Sequence, residues 1–536
     1  MKLSIEGITD RDVWEHAGIA LPNYDVPKLY DHTRKEPQWL HFGIGNIFRN
    51  FVGGIADRLI AEGYIDTGIT CAESFDFEIV DRIYRPFDNL TISAILNNDG
   101  TTDKKVLAPF GEVVKADFTN AAEWKRLMEI FTAPSLQMVS FTITEKGYSL
   151  TGLDGNYTKA AQRDIELGPA KATGVIAIVT AMLFARYQNG AVPISLVSMD
   201  NCSHNGRRLQ EAVWTISDEW EKREYVNKGF SQYIHDASKV TFPWTMIDKI
   251  TPRPSEKIAE LLKGLGIEGI DPIETDKKTF IAPFSNAERI QYLVIEDDFP
   301  NGRPPLEKAG VYMTDRETVD KSEKMKVNTC LNPIHTALCT YDCMLGYELF
   351  ADGLGDPELA KLADRIGYVE GLPVVENPGI ISPKAFLDEV LQIRMSNPYL
   401  GDTSQRIAVD ISQMVGIRFG ETIKSYVRKY GSAERLTGIA LAIAGWLRYL
   451  LELDDQGKHF NPAPDPMIPE LQKYLKGVRF GKPESLDGQL HPILSNANVF
   501  GSDLYSSGIG TRIERMFCEE IQGPGAVRET LKKYLS

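Results

Sequence analysis

The sequence predicts an α/β protein: a doubly wound amino-terminal domain followed by a mostly α-helical carboxy-terminal domain. Three observations carry this. Short apolar runs alternate with helix-length amphipathic segments across residues 39–201. A glycine-containing turn, Gly43-Ile-Gly45, joins the first run to the first long helical pattern. From Asp315 onward strand patterns nearly vanish and helix punctuation takes over.

Taken in order, Trp39-Leu-His-Phe42 reads as a strand, 46–61 as a helix, and 69–72 as a second strand ending at Glu73. Segment 90–114 breaks the repeat and reads as an antiparallel excursion turning at Asn98-Asp-Gly100. A strand at 137–142, a helix at 170–187 and a strand at 193–197 follow, the last capped by Ser198-Met-Asp-Asn201. Helices are predicted over 317–328, 333–350, 357–367, 383–394, 405–415, 421–430, 433–451 and 526–535. Pro333, Pro357 and Pro383 stand in first turns, and Gly367 stands at an end. The Pro- and Asp-rich stretch 297–305 is the natural linker, giving domains 1–305 and 306–536.

Composition narrows the function. A chain of 536 residues, 43% hydrophobic and 25% charged, is globular and too long for one core. The 59 basic against 74 acidic residues give a net charge of −15, with no basic run, which argues against a nucleic-acid or anionic-membrane partner. The longest apolar stretches, 174–185 and 436–447, fall well short of the roughly 20 residues of a membrane span. Residues 1–12 carry no signal-peptide pattern, and the 6 cysteines are too irregular for a disulfide framework. Cys339 and Cys343, one turn apart, have no second pair to complete a metal site. The expectation is a cytoplasmic protein without a metal.

Two constellations can carry chemistry. Gly43-Ile-Gly45-Asn46-Ile47-Phe48-Arg49 follows a strand and opens a helix, where glycines allow close backbone approach and free N–H groups receive a pyrophosphate. This is a Rossmann-type turn lacking the third glycine. A carboxylate at the second strand end accepts from both ribose hydroxyls and repels a 2′-phosphate, which favours NAD; Glu73 and Asp76 are both candidates. The second constellation is Glu323-x-x-Lys326 with Asn332-Pro-Ile-His335. Asn332 reads as a helix N-cap, with Pro333 in the first turn and His335 at the same helix end. Oxidising a secondary alcohol requires a base for the hydroxyl proton and donors for the developing alkoxide, and a desolvated lysine beside an amide meets both needs.

These blocks, with Thr142-Ile-Thr144-Glu145-Lys-Gly-Tyr148, Ser198-Met-Asp-Asn201…Asn205-Gly206, Phe242-Pro…Asp248 and Asn397-Pro…Arg406-Ile-Ala-x-Asp410, resemble the polyol-specific long-chain dehydrogenase/reductase family from about Trp39 onward. The resemblance implies that Lys326 is the catalytic lysine, that Asn201 and Asn332 hold the substrate oxygen, and that Glu323 relays the lysine proton to solvent. It further implies that His335 and Arg406 orient substrate, and that Thr144 and Glu145 join residues 43–49 around the cofactor. Asp248 reads either as a substrate ligand or as a cap before Thr251-Pro252.

The chain departs from the family pattern in four places, of which Pro333 (often glycine) and Trp244 (often asparagine) are two. One extra residue stands between Lys326 and Asn332, and Met414 replaces a substrate-site lysine. Features around Arg418 and 499–504 look closer to the uronate-reducing branch. The implied reaction is therefore D-fructuronate to D-mannonate with NADH, with mannitol–fructose or tagaturonate chemistry as alternatives. A dinucleotide-responsive binding protein without catalysis is the reading from another class. The partner is a small sugar acid or polyol, and the chain is a monomer or homodimer.

Overall fold

The alternating apolar runs assemble into one six-stranded, all-parallel sheet. Its strands are β1 (Trp39–Phe42), β2 (Ile69–Glu73), β3 (Phe110–Lys115), β4 (Met138–Phe141), β5 (Ile194–Ser198) and β6 (Val240–Thr241). They lie in the order β3-β2-β1-β4-β5-β6. The order reverses between β1 and β4, which opens a crevice at their carboxyl ends, where doubly wound sheets bind nucleotides. Every residue of β1, β2, β4 and β5 is buried, because both sheet faces are covered. Leu40, Phe42, Val139 and Leu196 pack on one side with Leu127, Ile178 and Val213; Trp39, Cys71, Met138 and Val197 pack on the other with Phe51, Ile55 and Leu59.

The computed structural model describes residues 1–152 and 154–536. The chain divides into two units, Met1–Asp320 and Lys321–Ser536. The division thus falls later than the 297–305 loop, which the first unit keeps. Asn301 Nδ2 donates to Leu136 O at 2.8 Å, and Arg303 binds Asp297 and Glu307, each at 2.7 Å.

Segment 90–114 also resolves differently from its reading. Thr91–Leu96 and Thr102–Leu107 form the antiparallel hairpin. Phe110–Lys115, however, returns to the parallel sheet as β3, where Phe110, Val113 and Val114 are buried. Phe284–Ala287 extends the hairpin's sheet on the Thr91–Leu96 side.

In the second unit, Gly438–Tyr449 is buried along its whole length, as its apolar residues on every face demand. It packs against Asn332–Leu345 and Gly510–Glu520. A Cβ at Gly445 would lie 2.4 Å from the Tyr341 ring, so this glycine sets how closely the helices approach. Three of the expected helices pass into π turns, at Met325–Cys330, Arg365–Gly371 and Val390–Arg394. The helix expected over 405–415 is broken into Ser404–Ile407 and Ile411–Gln413. Between them Asp410 sits at φ 57°, its N–H bonded to Pro464 O at 3.0 Å. Among the described residues no strand follows Thr314, and no helix is long and apolar enough to cross a membrane.

Candidate active site

Gly43 follows β1 at φ 89°, in the left-handed region that glycine alone enters cheaply. A Cβ there would lie 2.1 Å from Thr142 O, so the turn runs against the end of β4. A hydrogen-bond relay fixes this approach. Trp39 Nε1 donates to Ser140 Oγ at 2.7 Å, and Ser140 donates to His41 Nδ1 at 2.6 Å, a direction fixed from the far end of the relay, where Thr142 spends its proton on a carbonyl. His41 then carries its own proton on Nε2 and donates to Thr142 Oγ1 at 2.9 Å, and Thr142 donates to Gly43 O at 2.6 Å. Burial pulls the His41 pKa down to about 3, so the relay stays neutral at working pH.

Gly45 is the opposite case. A Cβ there would meet no atom within 4 Å, so its backbone faces open space. The helix begins immediately after it, and the N–H groups of a first helical turn have no intrahelical acceptor. An open glycine beside free amides fits a dinucleotide pyrophosphate.

The side chains that follow do not all share that task. Ile47 packs against the core, and Phe48 is buried and stacked on His41 with ring centroids 4.0 Å apart. Arg49, 1% exposed, donates to Ala282 O at 2.6 Å, Thr91 Oγ1 at 3.1 Å and Asn46 Oδ1 at 2.7 Å. Asn46 Nδ2 donates to Phe280 O at 3.2 Å. Phe48 and Arg49 are both buried here. Their side chains face inward, the arginine strapping its helix to the 280–284 segment.

At the tip of β2, Glu73 Oε1 accepts from the N–H groups of Ser74 (2.9 Å), Phe75 (2.8 Å) and Asp76 (3.2 Å). Its Oε2 accepts one long bond, 3.4 Å, from Ile44 of the glycine turn. Burial raises the Glu73 pKa, and these N–H groups oppose the rise. Asp76 is turned away, its Oδ2 accepting from Thr275 Oγ1 at 2.6 Å.

The carboxyl ends of β4 and β5 are locked together by Asp200, a residue the sequence reading passed over. It accepts from Ile143 N at 2.8 Å, Thr144 N at 2.9 Å and Tyr148 Oη at 2.5 Å. Desolvation raises its pKa against the pull of these donors. Thr144 sits at φ 64°, a costly conformation for a β-branched residue, and its N–H bond to Asp200 is what holds it there. Asn205 Nδ2 secures the same loop through Asp200 O (3.0 Å) and Thr245 Oγ1 (2.8 Å). A Cβ at Gly206 would come within 2.7 Å of Phe242 O, which explains the Asn-Gly pair. Asn201 is exposed at the tip of this braced loop. Glu145 is exposed and pairs with Arg208 at 2.9 Å. Asp248 closes the strand Thr245–Asp248 opposite Tyr292 and is buried.

Asp200→Asn removes one of the two acceptor oxygens and is expected to cost about 1–3 kcal/mol in thermal unfolding. Adding Thr144→Gly, which adopts the same φ without penalty, is expected to return about 1 kcal/mol. No recovery in the double variant would show that Asp200 does not hold the strained turn.

In the second unit, Lys326 lies in the π turn Met325–Cys330 and is 2% exposed. Leu331 N–H closes the turn on Lys326 O at 3.1 Å. An i→i+5 turn takes up one residue more than an α turn, which suits the extra residue expected before Asn332. Glu323 precedes Lys326 by three residues, in the helix Arg316–Lys324.

The π turn also corrects the cap assignment. Leu331 occupies the N-cap position and Asn332 is the first residue of Asn332–Leu345. Its amide does no capping and makes no hydrogen bond among the described residues. His335 meets the Phe350 ring edge-on at 4.9 Å. Arg406 is exposed and paired with Asp402 four residues earlier. Helix Val415–Arg418 packs on both the π turn and the Asn332–Leu345 helix.

Comparison with known proteins places this arrangement. Residues 37–308 match the mannitol dehydrogenase Rossmann domain and residues 318–515 the mannitol dehydrogenase C-terminal domain. The chain is 48% identical over 536 residues to a D-mannonate oxidoreductase of Thermotoga maritima, covering 99% of each. A polyol:NADP oxidoreductase of Gluconobacter oxydans is 27% identical over 471 residues, covering 86% of this chain and 88% of its own. The fold matches that of a Pseudomonas fluorescens mannitol 2-dehydrogenase, solved with NAD and D-mannitol, at a TM-score of 0.73 and 23% identity, covering 100% of this chain and 99% of that one. The chain belongs to the mannitol dehydrogenase family.

Proposed function

We propose that this chain is a NAD-dependent, metal-independent oxidoreductase that interconverts D-fructuronate and D-mannonate in the cytoplasm. The observation that carries this reading is its full-length 48% identity to a relative named D-mannonate oxidoreductase. NAD(H), when bound, supplies or accepts the hydride; the other tasks fall to the chain's own side chains.

The glycine turn and the first turn of its helix receive the pyrophosphate. Glu73, whose Oε2 holds a single long bond, accepts from the ribose hydroxyls and disfavours a 2′-phosphate. In ketone reduction Lys326 Nζ gives the proton that converts the alkoxide to the alcohol, and in oxidation it takes that proton back. The side-chain amides of Asn201 and Asn332 donate to the oxygen as its charge grows. Glu323 returns the proton between Lys326 and solvent, and His335 orients the sugar hydroxyls, with Arg406 anchored on Asp402.

Initial rates with NADH and NADPH against fructuronate, tagaturonate and fructose test this. Rapid NADH oxidation with fructuronate, and at least about tenfold slower turnover with NADPH, is the expected result. Turnover of fructose with no reaction on fructuronate would overturn the substrate assignment, and equal rates with NADPH would overturn the role of Glu73.

A further inference from the structure

A sugar acid differs from a polyol by one carboxylate, and a desolvated carboxylate needs a cation. Position 414, where the family resemblance implies a cation, holds the uncharged Met414. One helical turn later stands Arg418, a partly buried guanidinium at the end of Val415–Arg418. Its hydrogen bonding among the described residues is a single donation, Nη1 to Thr336 Oγ1 at 2.5 Å. Among the described residues no carboxylate pairs with it: Glu421, three residues on, is bound to Lys424 at 2.5 Å. Nε and Nη2 are absent from the sealed, unbonded polar atoms, so both face accessible space.

This is an unusual economy for an arginine in this chain. Arg49, Arg186 and Arg448 are more deeply buried, and each spends its guanidinium on several carbonyls. Arg406 is exposed and already paired with Asp402. Arg418, by contrast, is desolvated enough that its pKa falls to about 10, yet it keeps donors unused. Thr336, which anchors it, directly follows His335 on the helix begun by Asn332, and the Arg418 helix also packs on the Lys326 turn.

We infer that Arg418 is the carboxylate-recognising residue of this chain, the guanidinium edge not bound to Thr336 binding the acid group of the sugar-acid substrate. The inference rests on the uronate–aldonate reading above. Thr336 holds the fork in one orientation, so little freedom is lost when the carboxylate binds.

Arg418→Met removes the charge and roughly keeps the volume. The KM for fructuronate and the dissociation constant of D-mannonate are each expected to rise about 100-fold, while kcat at saturation and NADH affinity change less than about threefold. Arg418→Lys keeps the charge and loses the fork, and is expected to raise the same KM about tenfold. If the methionine variant does not fold, the lysine variant alone decides, and an unchanged KM overturns the inference. A loss that falls on kcat with KM unchanged also overturns it, because that pattern marks a structural role. A parent enzyme that reduces fructose and no uronate overturns the substrate reading and this inference together; an active parent with an unaffected Arg418→Met variant overturns this one alone.

Discussion

Replacing Lys326 with alanine is expected to leave NADH affinity unchanged and to slow ketone reduction about 1,000-fold. The expectation follows from position. Lys326 is 2% exposed, although lysine is among the residues least often buried. Its backbone lies in a π turn, a geometry that regular helix formation would avoid unless something is gained by it. On the proposed mechanism, water must carry the proton once the amine is gone. Stopped-flow NADH oxidation in a single turnover reads the chemical step directly, and fluorescence titration reads NADH binding. Glu323→Gln should give a smaller loss that grows as buffer concentration falls, since buffer replaces the relay. An alanine variant with parental single-turnover rates would remove Lys326 from the mechanism and return weight to a non-catalytic, dinucleotide-responsive role.

How much of this was legible in the sequence depends on how far apart the interacting residues lie. The parallel sheet, the Gly43-x-Gly45 turn and Glu73 at the end of β2 are local features, and the alternation of apolar runs located them. The inward course of Arg49 had no local signal, because two of its acceptors, Ala282 O and Phe284 O, lie more than 200 residues away. Asn332-Pro has the composition of a helix start, but the preceding π turn moves the cap to Leu331, a shift with no local signature. Segment 405–415 has helical spacing, and its break at Asp410 depends on a bond to Pro464. Asp200 had a usable signal, an acid between a strand end and Asn201. Its partners at 143–148 emerge only when β4 and β5 pair.

The two glycines of the turn should fail in different ways, and that difference tests whether the turn is a cofactor cradle or merely a strand–helix connection. Gly43→Ala places a Cβ 2.1 Å from Thr142 O at a φ of 89°. Thr142 cannot yield, because its N–H bonds Phe42 O at 2.9 Å and its hydroxyl ends the relay from Trp39 through His41. The variant is expected to lose about 3 kcal/mol or more in denaturant unfolding, with NADH binding lost as the turn is displaced. Gly45→Ala meets no atom within 4 Å and carries no left-handed φ, so its unfolding midpoint should match the parent's. Its methyl group would nevertheless stand where the pyrophosphate must approach the backbone, and NADH should bind at least about tenfold more weakly. A Gly45→Ala protein with parental affinity would mean that the open space above this turn is not where the dinucleotide lies. If it lost stability and affinity together, the turn would be a structural hinge, and the nucleotide site would have to be sought elsewhere along the carboxyl edge of the sheet.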